Sequence, residues 1–134
     1  MDPPRGEAAE PSAAAVRGPL PRQPRQRLAI VTCMDARLDP LGMLELSLGD
    51  ANVIRNAGAT VSHDVLRSLG AAVERLGVAR VVLIGHTDCA GHDSDASAAA
   101  SVADGARRLR GAMPDGFGVD AFMYDVASGA LTPV

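Results

Sequence analysis

The chain has no lysine and no tryptophan, only one tyrosine and two phenylalanines, and just two cysteines in 134 residues. So few aromatic rings leave little surface on which bases could stack. A net charge of −3 gives no broad attraction to nucleic acid or to anionic lipid, and neither partner is expected. All 13 basic residues are arginine, a compositional bias without a functional reading. The first 27 residues contain no apolar stretch long enough for a signal peptide or a membrane span. With no export signal visible, one disulfide is the weaker reading of the two cysteines, and a reducing, cytoplasmic setting with free thiols is expected.

What is abundant is aliphatic. Hydrophobic residues make up 47% of the chain, so Val, Leu, Ile, Ala and Met must fill the core of a single domain. Residues 1–26 carry Pro3, Pro4, Pro11, Pro19, Pro21 and Pro24 among arginines and acids, and are expected to be a disordered or loosely docked arm. The folded domain is expected over 27–134.

Leu28-Ala29-Ile30-Val31 is a continuous apolar run, the pattern of a strand covered on both faces, and it leads to Thr32 and Cys33. Residues 40–48 read as a short helix, and 51–55 as a second strand ended by Asn56-Ala57-Gly58. Ser62 can cap the next helix, in which Val65, Leu66, Leu69, Ala72, Val73 and Leu76 recur at helical spacing before Gly77. Val81-Val82-Leu83-Ile84 is the clearest strand, ending at Gly85-His86. A helix between two such strands makes a βαβ unit and hence an α/β fold with a mainly parallel sheet. A weak helix is expected around 102–113, a strand over 122–126, and a turn at Ser128-Gly129 toward 131–134. Met34 and Met43 are expected in the core, His63 in a solvated first turn, His92 in a flexible loop, and Arg107, Arg108 and Arg110 on a solvated face.

Both cysteines fall at apolar-run ends: Cys33 after the first, and Cys89 three residues beyond His86, which ends the other. In open α/β sheets the ligand crevice lies beyond the carboxyl ends of the strands. If these two strands are neighbours, about 5 Å apart, Cys33, His86 and Cys89 converge on one point. Two thiolates and one imidazole suit zinc, and three protein ligands leave one tetrahedral position open, the pattern of a catalytic site. Asp35 and Arg37 beside such an ion supply a carboxylate and a guanidinium able to hold it by a bidentate grip. No phosphate-binding loop or dinucleotide fingerprint is present, so Zn2+ is the only cofactor indicated.

The series Cys33-Met34-Asp35-Ala36-Arg37-Leu38, Arg55-Asn56-Ala57-Gly58 and His86-Thr87-Asp88-Cys89 resembles the signature of the β-class carbonic anhydrases, and residues 124–129 resemble the terminal strand of its short bacterial members. The resemblance implies a sheet of four to five strands in the order 2-1-3-4 flanked by helices. It implies zinc held by Cys33, His86 and Cys89, an Asp35–Arg37 catalytic dyad, and a closed form in which Asp35 itself takes the fourth zinc position. It implies reversible hydration of carbon dioxide to bicarbonate by a homodimer or dimer of dimers. The same fold could instead hydrolyse carbonyl sulfide or carbon disulfide, or bind zinc without catalysis. Two departures stand out: the family usually has Gly directly after the second ligand cysteine, where this chain has Ala90 and then Gly91, and the stretch from Cys89 to the last strand is short, as if a helical segment were missing.

Overall fold

The computed structural model describes residues 19–134, so most of the expected arm, residues 1–18, lies outside the described residues. Strand β1 (Leu28–Cys33) is followed by β2 (Ala51–Asn56), helix α1 (His63–Leu76), β3 (Arg80–His86), helix α2 (Asp95–Ala112), β4 (Gly118–Tyr124) and β5 (Leu131–Pro133). The five strands form one sheet in the order β2-β1-β3-β4-β5. Only the β4–β5 pair is antiparallel.

All of β1 is buried, and successive side chains serve opposite faces. Ala29 and Val31, with Val81 and Leu83 of β3, pack beneath Val65, Leu69 and Ala72 of α1 and Val102, Ala106 and Leu109 of α2. Leu28 and Ile30, with Val82 and Ile84, face the other way and are covered by Leu41, Met43, Leu44 and Leu46 from the β1–β2 connection and by Phe122, Tyr124 and Leu131. The first connection therefore runs on one face and both helices lie on the other. This follows from keeping every crossover right-handed when the chain moves first to one side of β1 and then to the other. The reversal of strand order falls between β1 and β3, and open α/β sheets place their ligand sites beyond the carboxyl ends at such a point. Buried Thr32 ties the two strands there by donating its Oγ1–H to the Ile84 carbonyl at 2.8 Å.

Helix α1 begins where the sequence places it. The Ser62 side chain accepts the Val65 N–H, and Gly77 ends the helix at φ 71°, a left-handed geometry that glycine adopts without strain. Three other elements differ from expectation. Residues 40–48 form only a 3₁₀ turn at Gly42–Leu44, because Asp39 takes the Gly42 N–H at 3.1 Å and Glu45 turns left-handed at φ 56°. Helix α2 starts at Asp95, seven residues before the expected start, on a capping box between Ser94 and Ser97. Strand β4 starts at Gly118 and ends at Tyr124, since β3 supplies ladder partners from Arg80 to His86.

Among the side chains given an expected place, one methionine departs from it. Met34 is 62% exposed instead of lying in the core, whereas Met43 packs against the second face. The three arginines on α2 lie exposed as expected, Arg107 pairing with Asp104, Arg108 donating to the Val61 carbonyl and Arg110 to the Val119 carbonyl. Ahead of β1, Arg25 donates its backbone N–H to Gly49 at 2.9 Å and its guanidinium to Asp50 and to the Leu48 carbonyl. Among the described residues no helix is long and apolar enough to cross a membrane.

Candidate metal centre

Cys33 is the last residue of β1 and His86 the last of β3, and both are buried. Past His86 the chain turns sharply at Asp88, whose φ of 52° brings Cys89 back toward the strand ends. The Sγ atoms of Cys33 and Cys89 come to 3.8 Å, with no disulfide between them. One ligating atom from each of Cys33, His86 and Cys89 lies within 4.8 Å of the other two.

The imidazole of His86 shows what this cluster is prepared to receive. Its Nδ1 lies 2.7 Å from the Thr87 carbonyl, which can only accept, so Nδ1 carries the hydrogen. In the neutral ring Nε2 is then a bare lone pair. It is buried and has no hydrogen-bond partner among the described residues. An unsatisfied buried acceptor costs about 1–3 kcal/mol, whereas a cation removes that cost, and a carbonyl-anchored second nitrogen is the usual support of a metal-binding histidine. Two sulfurs each about 2.3 Å from a tetrahedral ion stand about 3.8 Å apart, so the sulfur separation fits zinc as it is.

Backbone amides face both sulfurs. Gly58 donates to Cys33 Sγ at 3.3 Å and Gly91 to Cys89 Sγ at 3.4 Å. In the metal-free protein burial raises the Cys89 thiol above its ordinary pKa, an effect that the Gly91 N–H opposes and the neighbouring Cys33 sulfur adds to. A dication removes this conflict, because thiolates bind metal and thiols do not.

Beside the cluster, Asp35 is gripped by Arg37 through three contacts. The Arg37 backbone N–H and Nε donate to Oδ1 at 2.8 and 3.0 Å, and Nη2 donates to Oδ2 at 2.8 Å. These hydrogen bonds hold the Asp35 carboxyl well below the usual carboxylate range and push the Arg37 guanidinium above its own. Asp35 Oδ2 lies 3.8 Å from His86 Nε2, so the carboxylate faces the cluster while its other oxygen is fully engaged. Two shallow hollows, lined in part by Val73 and Pro114, lie at the amino end of β3 and take no part in this arrangement.

A family model described as carbonic anhydrase matches residues 28–114, which contain every one of these side chains. The chain belongs to the β-carbonic anhydrase family. Over 77 residues it is 51% identical to β-carbonic anhydrase 1 of Mycobacterium tuberculosis, an alignment covering 58% of this chain and 47% of that protein. The chain thus spans about half the length of the curated relatives it matches. The crystal structure of carbonic anhydrase from Streptococcus mutans superposes with a TM-score of 0.77 at 33% identity, covering 86% of this chain and 85% of that one. A carbon disulfide hydrolase from Saccharolobus solfataricus is 39% identical over 64 residues, 48% of this chain and 31% of that protein.

Against the β-carbonic anhydrase signature, the structure adds residues to which sequence reasoning gave no role. Arg55 donates Nε to the Cys33 carbonyl at 2.8 Å and Nη2 to the Asp35 carbonyl at 2.7 Å, fixing the backbone that carries both side chains. Asp88 gives Arg37 a second carboxylate at 3.1 Å and a carbonyl at 2.9 Å. Arg55 stood within the recognised motif, and Asp88 within the ligand loop, so position alone could have flagged them. Gly58 and Gly91 act through backbone N–H groups, which residue identity does not reveal. The Ala90 departure carries no backbone strain: the left-handed residue of this loop is Asp88. His92, expected in a flexible loop, is instead anchored on the Gly58 carbonyl at 3.0 Å.

Proposed function

We propose that this protein is a zinc-dependent catalyst of the reversible hydration of carbon dioxide to bicarbonate, with Cys33, His86 and Cys89 as the metal ligands and Asp35 and Arg37 as the catalytic dyad. The observation that carries the reading is the bare, buried Nε2 of His86, set among two sulfurs and facing the Asp35 carboxylate. When bound there, zinc supplies Lewis acidity that makes water nucleophilic near neutral pH. Asp35 supplies a fixed acceptor. Its Oδ1 is occupied by two donors from Arg37, whereas Oδ2 has one and keeps lone-pair capacity toward the cluster. That free capacity can take a hydrogen bond from the attacking water and so aim the oxygen lone pair at the carbon of the substrate. Arg37 keeps Asp35 ionised and stops it rotating. The same grip on both carboxylate oxygens would compete with the closed form, in which Asp35 itself takes the fourth metal position.

The test is stopped-flow hydration of carbon dioxide on protein whose zinc content has been measured beforehand. Stoichiometric zinc with a rate well above background supports the reading; stoichiometric zinc with background rate replaces it by a noncatalytic metal-binding relative. The matched carbon disulfide hydrolases favour one second reading, attack of the same water on carbon disulfide or carbonyl sulfide, which release of hydrogen sulfide would reveal. Assembly as a homodimer or dimer of dimers, read by sedimentation velocity, belongs to this proposal. So does a cytoplasmic setting, in which the free thiols of Cys33 and Cys89 stay reduced.

A further inference from the structure

Each sulfur of the cluster receives one backbone N–H, and the two amides come from different loops: Gly58, after β2, serves Cys33, and Gly91, after β3, serves Cys89. The loops lie in direct contact. A Cβ on Gly91 would fall 2.9 Å from the Gly58 nitrogen, and a Cβ on Gly58 would fall 2.7 Å from Nε2 of His92. Gly58 is buried, and its φ of +85° is an angle available to few residues and held by no side chain of its own. Within the loop, Asn56 and Thr60 hold each other (Asn56 Nδ2 to the Thr60 carbonyl at 2.8 Å, the Thr60 N–H to Asn56 Oδ1 at 2.9 Å) and Thr60 Oγ1 donates to the Ala57 carbonyl at 3.3 Å, but none of these bonds engages the Gly58 carbonyl. His92 Nε2 lies 3.0 Å from the Gly58 carbonyl; the carbonyl only accepts, so Nε2 carries the hydrogen and donates it. The other end of His92 is fixed as well, since its backbone N–H donates to the Cys89 carbonyl at 3.2 Å.

We propose that His92 is a positioning residue for the metal-binding thiolates: it bridges the two ligand loops and, by holding the Gly58 carbonyl, keeps the Gly58 N–H aimed at Cys33 Sγ. This rests on the zinc reading above and adds to it a side chain outside the ligand set and the dyad. His92 stands outside the Cys33, His86 and Cys89 cluster, so its effect should appear in how the sulfurs bind the ion. Supports of this kind are typically worth about 10- to 100-fold in metal affinity.

The experiment compares wild type, His92→Phe and His92→Gln, the last keeping an amide N–H that can replace Nε2–H. Zinc-loaded protein is mixed with a chromophoric chelator and the release rate followed; in parallel, cobalt-loaded protein is examined for its sulfur-to-cobalt charge-transfer band. Release about tenfold faster in His92→Phe with a displaced band, and both within about threefold of wild type in His92→Gln, supports the inference. Wild-type release and an unchanged band in folded His92→Phe overturn it, as does a Gln variant no better than the Phe variant. If circular dichroism shows that the Phe variant does not fold, His92→Ala carries the same comparison. A wild type that binds neither zinc nor cobalt overturns the metal reading and this inference together, whereas metal-binding wild type with an indifferent His92→Phe overturns this inference alone.

Discussion

Cys33 Sγ and Cys89 Sγ lie 3.8 Å apart although 56 positions separate them in the chain. Adjacent parallel strands bring them there: β1 and β3 run in register from Leu28 opposite Arg80, so their carboxyl ends finish side by side. A metal held between these ends would cross-link two adjacent inner strands of the sheet, and binding is then coupled to folding. Zinc at a hundredfold excess over its dissociation constant should stabilise the protein by about 2.7 kcal/mol, on the order of 10 °C in melting temperature for a domain of this size. Chelation should remove that gain from wild type, and Cys89→Ser should be insensitive to added zinc. Calorimetric melting with metal analysis measures both, and a Cys89→Ser variant that keeps stoichiometric zinc would remove Cys89 from the ligand set.

The dyad should separate metal binding from turnover. Asp35→Ala leaves Cys33, His86 and Cys89 in place, so on the proposed reading zinc content should stay near one per chain while the hydration rate falls by on the order of a hundredfold. Arg37→Lys should fall between this variant and wild type. A lysine keeps the charge but cannot hold both oxygens of Asp35 and reach the Asp88 carbonyl together. Equal hydration rates for Asp35→Ala and wild type would take the carboxylate out of the mechanism.

Much of this arrangement is legible in the sequence, for reasons that can be named. Strands β1 and β3 are buried on both faces and so appear as unbroken apolar runs, which makes the polar residues at their ends, Cys33 and His86, conspicuous. Helix α1 shows its buried stripe and both caps. The first turns of α2 do not, because Ala, Ser and Asp carry little periodicity and the helix is set there by packing and by a serine cap. The start of β4 is hidden in Gly118-Val119-Asp120, where pairing with β3 overrides weak strand preference. Strand order came from the family resemblance and not from any local pattern. At the site, chemically distinctive side chains could be read in advance, whereas amide donors such as Gly58 and a histidine fixed only by tertiary contact could not.

The Asp35–Arg37 contact also makes a pH-dependent contribution. Its hydrogen bonds depress the carboxyl pKa in the folded protein, so the unfolded chain binds a proton there more readily than the folded one does. Stability from the pair is therefore present above the ordinary aspartate range, near pH 4, and is lost as pH falls from there toward the folded-state value. In metal-free protein, Asp35→Asn should lower the melting temperature at pH 6 and differ from wild type progressively less below about pH 4. A difference that stays constant from pH 6 to pH 3 would show that the carboxylate charge contributes nothing to folding.

The two residues after Cys89 should respond in opposite ways to exchanging glycine and alanine. Ala90 is exposed and is not left-handed, so Ala90→Gly gives up only the backbone restriction of alanine, at most about 1 kcal/mol, and should keep its zinc. Gly91 has no such freedom: a methyl group there would stand 2.9 Å from the Gly58 nitrogen, 3.0 Å from its Cα and 3.1 Å from the Ala57 carbonyl carbon. These are backbone atoms, which cannot swing aside as a flexible side chain could. Gly91→Ala must therefore push the two ligand loops apart, disturbing both amide-to-sulfur hydrogen bonds, and should weaken zinc binding by about tenfold or more. Competitive zinc titration of the two variants decides it. Were Ala90→Gly to lose zinc while Gly91→Ala kept it, the loop would depend on the alanine directly after the second cysteine, and the contact between Gly91 and Gly58 would have no part in holding the metal.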